Sequence, residues 1–369
     1  MARVREVELG DVDAVAVLQR EVGWTPASER GWRRLWVENP ALASGGPPPQ
    51  RGWVLEEGTR VVGFLANRIQ AYWLGGRALR AAVASAMVVA PASRGETMKL
   101  VLAYVQQPHI DLLLNTTAAP QTSKIFEFLK FHRIPQPAYD ISYYWVLRPG
   151  AFVAAGLRKK GVQASTSRIL GILLGPMVRL EGAVRRRGPA RRDRGPGSVR
   201  ILAAEEVGPE FDDLWRRRLA EGEKLLADRT ASTLRWHYAG EGRTVPARLV
   251  CAQDGARLAG YVALVRSDSP GIGLSRAYVA DIFVERDDPT TIRRLLSAAA
   301  KQARADGAAM LEVVGFPEPI RRLVASMRPF SLRNDSWPFL YRAREAQLDR
   351  TLSQPGLWHG CLFDGDGSI

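Results

Sequence analysis

Cysteine and histidine are scarce in this 369-residue chain. The two cysteines, Cys251 and Cys361, cannot make a disulfide framework, and the four histidines (His109, His132, His237 and His359) show no metal-ligand spacing. No structural zinc site is expected, and the low cysteine usage fits a reducing compartment. Long apolar runs are also missing. The nearest is ILGILLGPMVRL, Ile169 to Leu180, shorter than the ~20 residues of a membrane span and broken at Gly175-Pro176. The opening stretch MARVREVELGDVDAV has charges where a signal peptide needs an apolar core. Together these absences argue against a spanning or secreted protein and place the chain in the cytoplasm.

Acidic residues fall short of basic ones, 38 against 52, which leaves a net charge of +14. Such a balance favours anionic partners: nucleic acid, an acidic membrane surface or a phosphorylated cofactor. Part of the excess lies in RRRGPARRDR, Arg185 to Arg194. That run has no interleaved aromatics, so it reads as a solvated, flexible connector before a nucleic-acid or phospholipid patch. Hydrophobic content of 46% is ordinary, and the length suits two to three domains with a sizeable core.

The chain repeats itself. VREVELGDVDAVAVLQRE from Val4 has a counterpart in VRILAAEEVGPEFDDLWRR from Val199. LWVENP (Leu35 to Pro40) corresponds to RWHYAG (Arg235 to Gly240), and EEGTRVVGFLA (from Glu56) to QDGARLAGYVA (from Gln253). The offsets all fall at roughly 195–200 residues, the mark of a tandem duplication. Each half reads as strand, helix, a hairpin turning at an acidic-Gly pair, two long strands, a helix, a buried strand, a short helix and a last strand. The last strands are SYYWVL from Ser142 and WPFLYR from Trp337. The fold class is therefore α+β, or mixed α/β, with a sheet flanked by helices. Residues 1–149 and 198–345 form the halves, 346–369 a tail, and 150–197 a helical connector with apolar residues at Ile169, Ile172, Leu173, Met177 and Leu180, ending in the basic linker.

The first half holds VVAPASRGETMKLVLAYV, Val88 to Val105: a strand, a proline, an Arg-Gly turn and a helix start. A helix N-terminus offers unpaired N–H donors and a positive dipole end, and glycine lets backbone approach a phosphate closely. This stretch, with the strand order around it, resembles the GCN5-related N-acetyltransferases, whose loop commonly reads Arg-Gly-x-Gly-x-Gly or -Ala. Val88, Val89, Pro91, Arg94 and Gly95 match, while Thr97 and Lys99 stand at the later small positions. The resemblance covers both halves and implies two N-acyltransferase-like domains, each a mostly antiparallel sheet, the second degenerate. It also implies acetyl-CoA or a longer acyl-CoA held by Met87, Val88, Val89, Arg94, Gly95, Glu96, Thr97 and Met98, with an amine or sugar as acceptor. In PQTSKIFEFLKF, Pro120 to Phe131, Phe126 replaces the family's tyrosine, so no leaving-group acid is expected there and a core aromatic is.

The second half departs further. After YVADIFV comes Glu285-Arg286-Asp287-Asp288, good N-cap chemistry that would repel a pyrophosphate. Asp281, in that apolar strand, is either a general base with a raised pKa in a cleft or a satisfied structural acid. The tail LWHGCLFDGDGSI, from Leu357, resembles the ends of tandem acetyltransferase-like proteins associated with bacterial surface polysaccharide, with Trp358, Asp364 and Asp366 matching. An Asp-Gly-Asp could ligate a divalent cation or cap an active site, but with so few further oxygen ligands nearby in sequence a disordered acidic terminus is the expectation. His237, Asp364 and Asp366 are further sources of a base. An acyl-CoA-dependent N- or O-acyltransferase is the leading expectation. The alternatives are a non-catalytic binding or assembly protein on the same scaffold and, more weakly, a transferase using aminoacyl-tRNA.

Overall fold

The structure is a computed structural model that describes residues 2–43, 47–185, 187–188, 197–222, 224–240, 245–333 and 338–365. Trp337, Asp366 and most of the Arg185–Arg194 run lie outside the described residues. The first half runs β1 (Arg3–Glu6), α1 (Val12–Glu21), α2 (Glu29–Trp36), β2 (Gly52–Glu57), β3 (Arg60–Leu74), β4 (Arg77–Val89), α3 (Thr97–Gln106), β5 (Leu112–Asn115), α4 (Pro120–Phe128), β6 (His132–Arg133) and β7 (Ile141–Val146). Two connector helices follow, α5 (Pro149–Lys159) and α6 (Ala164–Val184). The second half runs β8 (Ser198–Ala203), α7 (Glu210–Leu219), β9 (Leu226–Ala227), α8 (Ala231–Tyr238), β10 (Arg248–Asp254), β11 (Arg257–Arg266), β12 (Arg276–Val284), α9 (Pro289–Ala305), β13 (Met310–Val313), α10 (Glu318–Ser326), β14 (Phe330–Arg333) and β15 (Leu340–Ala343). Helix α11 (Ala346–Leu352) leads into the tail.

Local chemistry accounts for these elements. Gly58 and Gly255 turn the two expected hairpins at φ +62° and +60°, in the left-handed region that other residues pay strain to enter. Helix α9 begins at Pro289 after Asp288, whose side chain accepts the Thr291 N–H at 2.7 Å. Its buried residues Ile292, Leu295, Leu296, Ala299 and Ala303 recur every three or four positions, the spacing of one helix face.

The two sheets have corresponding strand orders, β1-β2-β3-β4-β5-β15-β6 and β8-β10-β11-β12-β13-β7-β14. Both are mostly antiparallel, with one parallel pair each, β4 with β5 and β12 with β13. The sixth place in each sheet is taken by the last strand of the other half. Thus β7 pairs with β13, and β15 pairs with β5. The strands expected to close each half exist, but they are exchanged. Strand β9 adds a second crossing, pairing Leu226 and Ala227 with Trp73 and Tyr72 of β3. One buried cluster consequently joins Tyr72, Leu79 and Val83 of the first sheet to Val262 and Ile282 of the second and to Trp358 and Phe363 of the tail. A separate core under α1, α2 and α3 covers the other face of the first sheet.

Candidate functional site

Strands β4 and β5 stay paired over only three residues, Ala81–Val83 against Leu112–Leu114. Beyond Val83, β4 continues to Val89 bonded to β3 alone, so the edge facing β5 is released from pairing. Two features hold the strands apart. Helix α3 places the buried Tyr104 hydroxyl 2.7 Å from the Ala82 carbonyl and 2.9 Å from that of Leu114, where it also accepts the Leu114 N–H at 3.1 Å. Next, β4 bulges: Ala86 and Met87 together face a single residue of β3, Leu65. Ala86 sits at φ +48°, which costs an L-residue about 1–2 kcal/mol. A bulge of this kind bends its strand and re-aims side chains, and strain held at one point is a pointer to a functional site.

The divergence opens a groove of about 540 Å³. Ala84, Ser85, Ala86 and Met87 line one side, and Asn115, Thr117, Ala118, Ala119 and Thr122 another. Trp24, Trp32, Arg34 and Leu35 come from the α1–α2 segment, and the buried Arg68 from β3. The Asn115 side chain shapes its wall by accepting the Ala118 N–H at 3.0 Å, just before Pro120 starts α4. Among the described lining residues there is no carboxylate and no imidazole.

The Arg-Gly turn lies one step beyond Val89. Residues Pro91–Glu96 form a 3-10 turn that runs straight into α3. Ser93 anchors it by donating to Glu57 Oε1 at 3.1 Å. Arg94 and Gly95 are exposed, and a Cβ built on Gly95 would meet nothing within 4 Å. The later positions turn away from an incoming anion. Thr97 donates its hydroxyl to the Arg94 carbonyl at 2.7 Å. Lys99 lies 2.6 Å from Glu96 and donates to the Ala2 carbonyl at 3.0 Å. What the turn offers an incoming anion is therefore the Arg94 side chain, because the first N–H of α3, that of Thr97, is already donated to the Arg94 carbonyl. Of the remaining expected residues, Met87 lines the groove and Val88 is buried in the core, whereas Val89, Glu96, Thr97 and Met98 are half-buried and, like Arg94 and Gly95, are not among the groove's lining residues. Phe126 is a buried core aromatic, edge-on to Phe131 at 4.9 Å.

The second half diverges in the same manner, since β12 pairs with β13 only over Arg276–Val279. Here the opening is filled by the tail. The Phe316 N–H donates to the Gly360 carbonyl at 2.8 Å, and Cys361 bridges to Gly315. His359 Nε2 lies 3.0 Å from the Ile282 carbonyl, an acceptor that fixes the proton on that nitrogen. The expectation of a disordered acidic terminus is thus overturned for residues 357–365, because Trp358, Leu362, Phe363 and Asp364 are all buried. Asp364 accepts from the Tyr72 hydroxyl at 2.7 Å, and its carbonyl accepts from Arg68 at 3.0 Å. Burial raises the Asp364 pKa despite those partners and the Arg229 charge. His237 is also buried, its ring 4.4 Å from that of Phe363.

Asp281 faces no cleft. It is fully buried, with Arg229 Nε at 2.8 Å and Nη2 at 3.2 Å, the Tyr261 hydroxyl at 2.8 Å and Cys361 Sγ at 3.4 Å. Burial pushes its pKa up, but the Arg229 charge and these hydrogen bonds outweigh burial and hold the carboxyl below its usual range. Buried from any acceptor and fully partnered, Asp281 fits the reading of a satisfied structural acid. The acidic run after β12 is likewise engaged: Glu285 with Arg217 and Arg257, Asp287 with Arg218 and Lys224.

Burial, aided by the Arg229 charge, pushes the His359 pKa down to about 3 from 6.5. The unfolded chain takes up this proton near pH 6.5 and the folded one does not, so stability is full above that pH and falls as pH drops towards 3. The expected slope is about 1.4 kcal/mol per pH unit below 6.5. Urea midpoints compared at the same pH values down to about pH 5, where the raised Asp364 carboxyl is common to both proteins, should show this slope reduced in His359→Gln. An unchanged slope would refute the assignment.

No protein-family model and no curated protein sequence matches the chain. Solved structures do. One is an Enterococcus faecalis protein of unknown function described as a probable N-acyltransferase, similar with a TM-score of 0.58 over 94% of this chain and 73% of that one, at 11% identity. The chain has the fold of the GCN5-related N-acetyltransferases. A member of that group from Kribbella flavida matches with a TM-score of 0.52 at 15% identity, over 93% of this chain and 71% of that one. Saccharomyces cerevisiae N-myristoyltransferase, solved with bound myristoyl-CoA, matches with a TM-score of 0.56 at 13% identity, over 93% and 79%. At such identities the likeness extends to the fold and not to residue roles. Sequence reasoning located the Arg-Gly turn of this N-acetyltransferase-like fold but missed Tyr104, Arg68 and Trp32. For Arg68 a signal existed: a charge inside the otherwise apolar strand VVGFLANRIQAYW.

Proposed function

We propose that this chain is an acyl-CoA-dependent acyltransferase that uses the groove of its first half, with an amine or sugar hydroxyl as acceptor. The observation that carries this reading is the open divergence of β4 from β5, on the strand that leads into the Arg-Gly turn, while the equivalent opening in the second half is filled by the chain's own tail. A CoA thioester supplies an already activated acyl group. The chain would hold its phosphates at Arg94 and present the N–H groups freed along Ala84–Met87 to charge growing on the carbonyl oxygen. Trp24, Trp32 and Leu35 would exclude water from the acyl side. With no carboxylate or imidazole in the described lining, the acceptor proton passes to water. The myristoyl-CoA bound to the yeast structural neighbour supports a CoA thioester as donor.

Acetyl-CoA and longer acyl-CoAs should raise the melting temperature, the stabilisation reaching about 2.7 kcal/mol at a hundredfold excess over Kd. Replacing both turn residues, Arg94→Glu with Gly95→Glu, should remove the shift without lowering the melting temperature of the free protein. Thiol release with amine and amino-sugar acceptors measures turnover. Absence of a shift with every thioester would overturn the donor assignment, and a shift without turnover would favour a ligand-binding protein.

A further inference from the structure

Helix α6 carries its apolar side chains outwards. Ile169, Ile172, Leu173, Met177, Leu180 and Val184 recur every three or four residues and are 60–73% exposed. Of the thirteen exposed large hydrophobic residues among those described, seven lie on this one helix, so the apolar surface is a continuous stripe and not scattered singly. The helix cannot turn to hide it. Its opposite face, Ser167, Gly171 and Gly175, is buried against α5, and a Cβ on Gly171 would come within 2.4 Å of the Gly150 carbonyl oxygen. Gly175 is as confined, with Gly150 N 2.9 Å from its would-be Cβ. The glycine contact locks the rotation of α6 and leaves the stripe to solvent.

The borders of the stripe are basic. Arg168 and Arg179 are exposed about three turns apart along one side, and Arg185 stands at the end. The only acid of the helix, Glu181, is already engaged by Arg185 and Arg187, each at 3.1 Å. An apolar face bordered by arginines complements a surface with apolar interior and negative headgroups. A second copy fits less well, because antiparallel pairing of two α6 helices would bring Arg168 of one towards Arg179 of the other with no free carboxylate between them. No helix among the described residues is long and apolar enough to cross a membrane, so α6 would lie in the interface plane.

We propose that the α5–α6 hairpin docks the protein on anionic lipid bilayers through the outer face of α6. This holds whether or not the groove of the first half binds an acyl-CoA. The test is flotation of the full chain with vesicles of phosphatidylcholine alone or mixed with phosphatidylglycerol. Binding is expected on the mixed vesicles and should weaken as salt is raised. The triple variant Ile172→Gln, Leu173→Gln, Met177→Gln should bind about tenfold or more weakly at an unchanged melting temperature. The pair Arg168→Gln, Arg179→Gln should weaken binding to the mixed vesicles only. Failure to float with either vesicle, equal binding to both, or salt-insensitive self-association that the triple variant abolishes would each overturn the proposal, the last in favour of a second copy.

Discussion

Asp281→Leu is expected to destabilise the protein by about 3–5 kcal/mol, because it leaves the Arg229 guanidinium buried without its counter-charge. Both side chains are fully inaccessible, and without Asp281 Arg229 keeps the Ala227 carbonyl, Cys361 Sγ at 3.6 Å and the faces of Phe283 and Phe363, none of them a counter-charge. Arg229→Met should cost a similar amount by stranding the carboxylate. The double variant Asp281→Leu, Arg229→Met should recover much of the loss, since an apolar pair avoids two desolvation penalties. Urea unfolding followed by far-UV circular dichroism measures all three. The series also tests the structural role of Asp281 against that of a base. A general base would leave Asp281→Asn as stable as the parent and without turnover; the ion pair makes that variant unstable in proportion to what it loses. A stable, inactive Asp281→Asn protein would reinstate the base.

The duplicated order of elements was legible because each match is local: a hairpin, an amphipathic helix, an apolar strand. The exchange of β7 and β15 was not, since SYYWVL has the same pattern whichever sheet it joins, and the choice depends on partners far along the chain. The same applies to Asp281. An acid in an apolar strand is visible in sequence, but its partner Arg229 lies 52 residues earlier in a stretch with no pattern of its own. At the Arg-Gly turn the motif marked the passage from β4 into α3, yet the inward hydrogen bond of Thr97 and the pairing of Lys99 depend on three-dimensional neighbours. The order of the tail is masked in the sequence for a different reason. Its closing Asp-Gly-Asp suggested disorder, whereas Leu357, Trp358, Leu362 and Phe363, within seven residues, already carried the pattern of a buried segment.

That tail carries the second large effect. Phe363→Ala should cost about 3–5 kcal/mol, the usual range for removing a buried phenyl ring. Phe363 is fully buried, 4.4 Å from the His237 ring, and Arg229 sits 4.6 Å over its face. The loss therefore adds a cavity to a weakened cation–π contact beside the Arg229–Asp281 pair. Because the cluster around it is continuous from Tyr72 and Val83 to Val262 and Ile282, the cavity loosens both sheets together. One unfolding transition is expected, moved to lower urea with its slope unchanged. A segment acting as a lid would behave otherwise. It would open locally, become sensitive to protease around residues 357–365, and leave the global midpoint in place. Phe363→Ala with a parental midpoint and a protease-sensitive tail would make the tail a gate over the second opening. A joint shift of midpoint and protection makes it part of the core that binds the halves into one body.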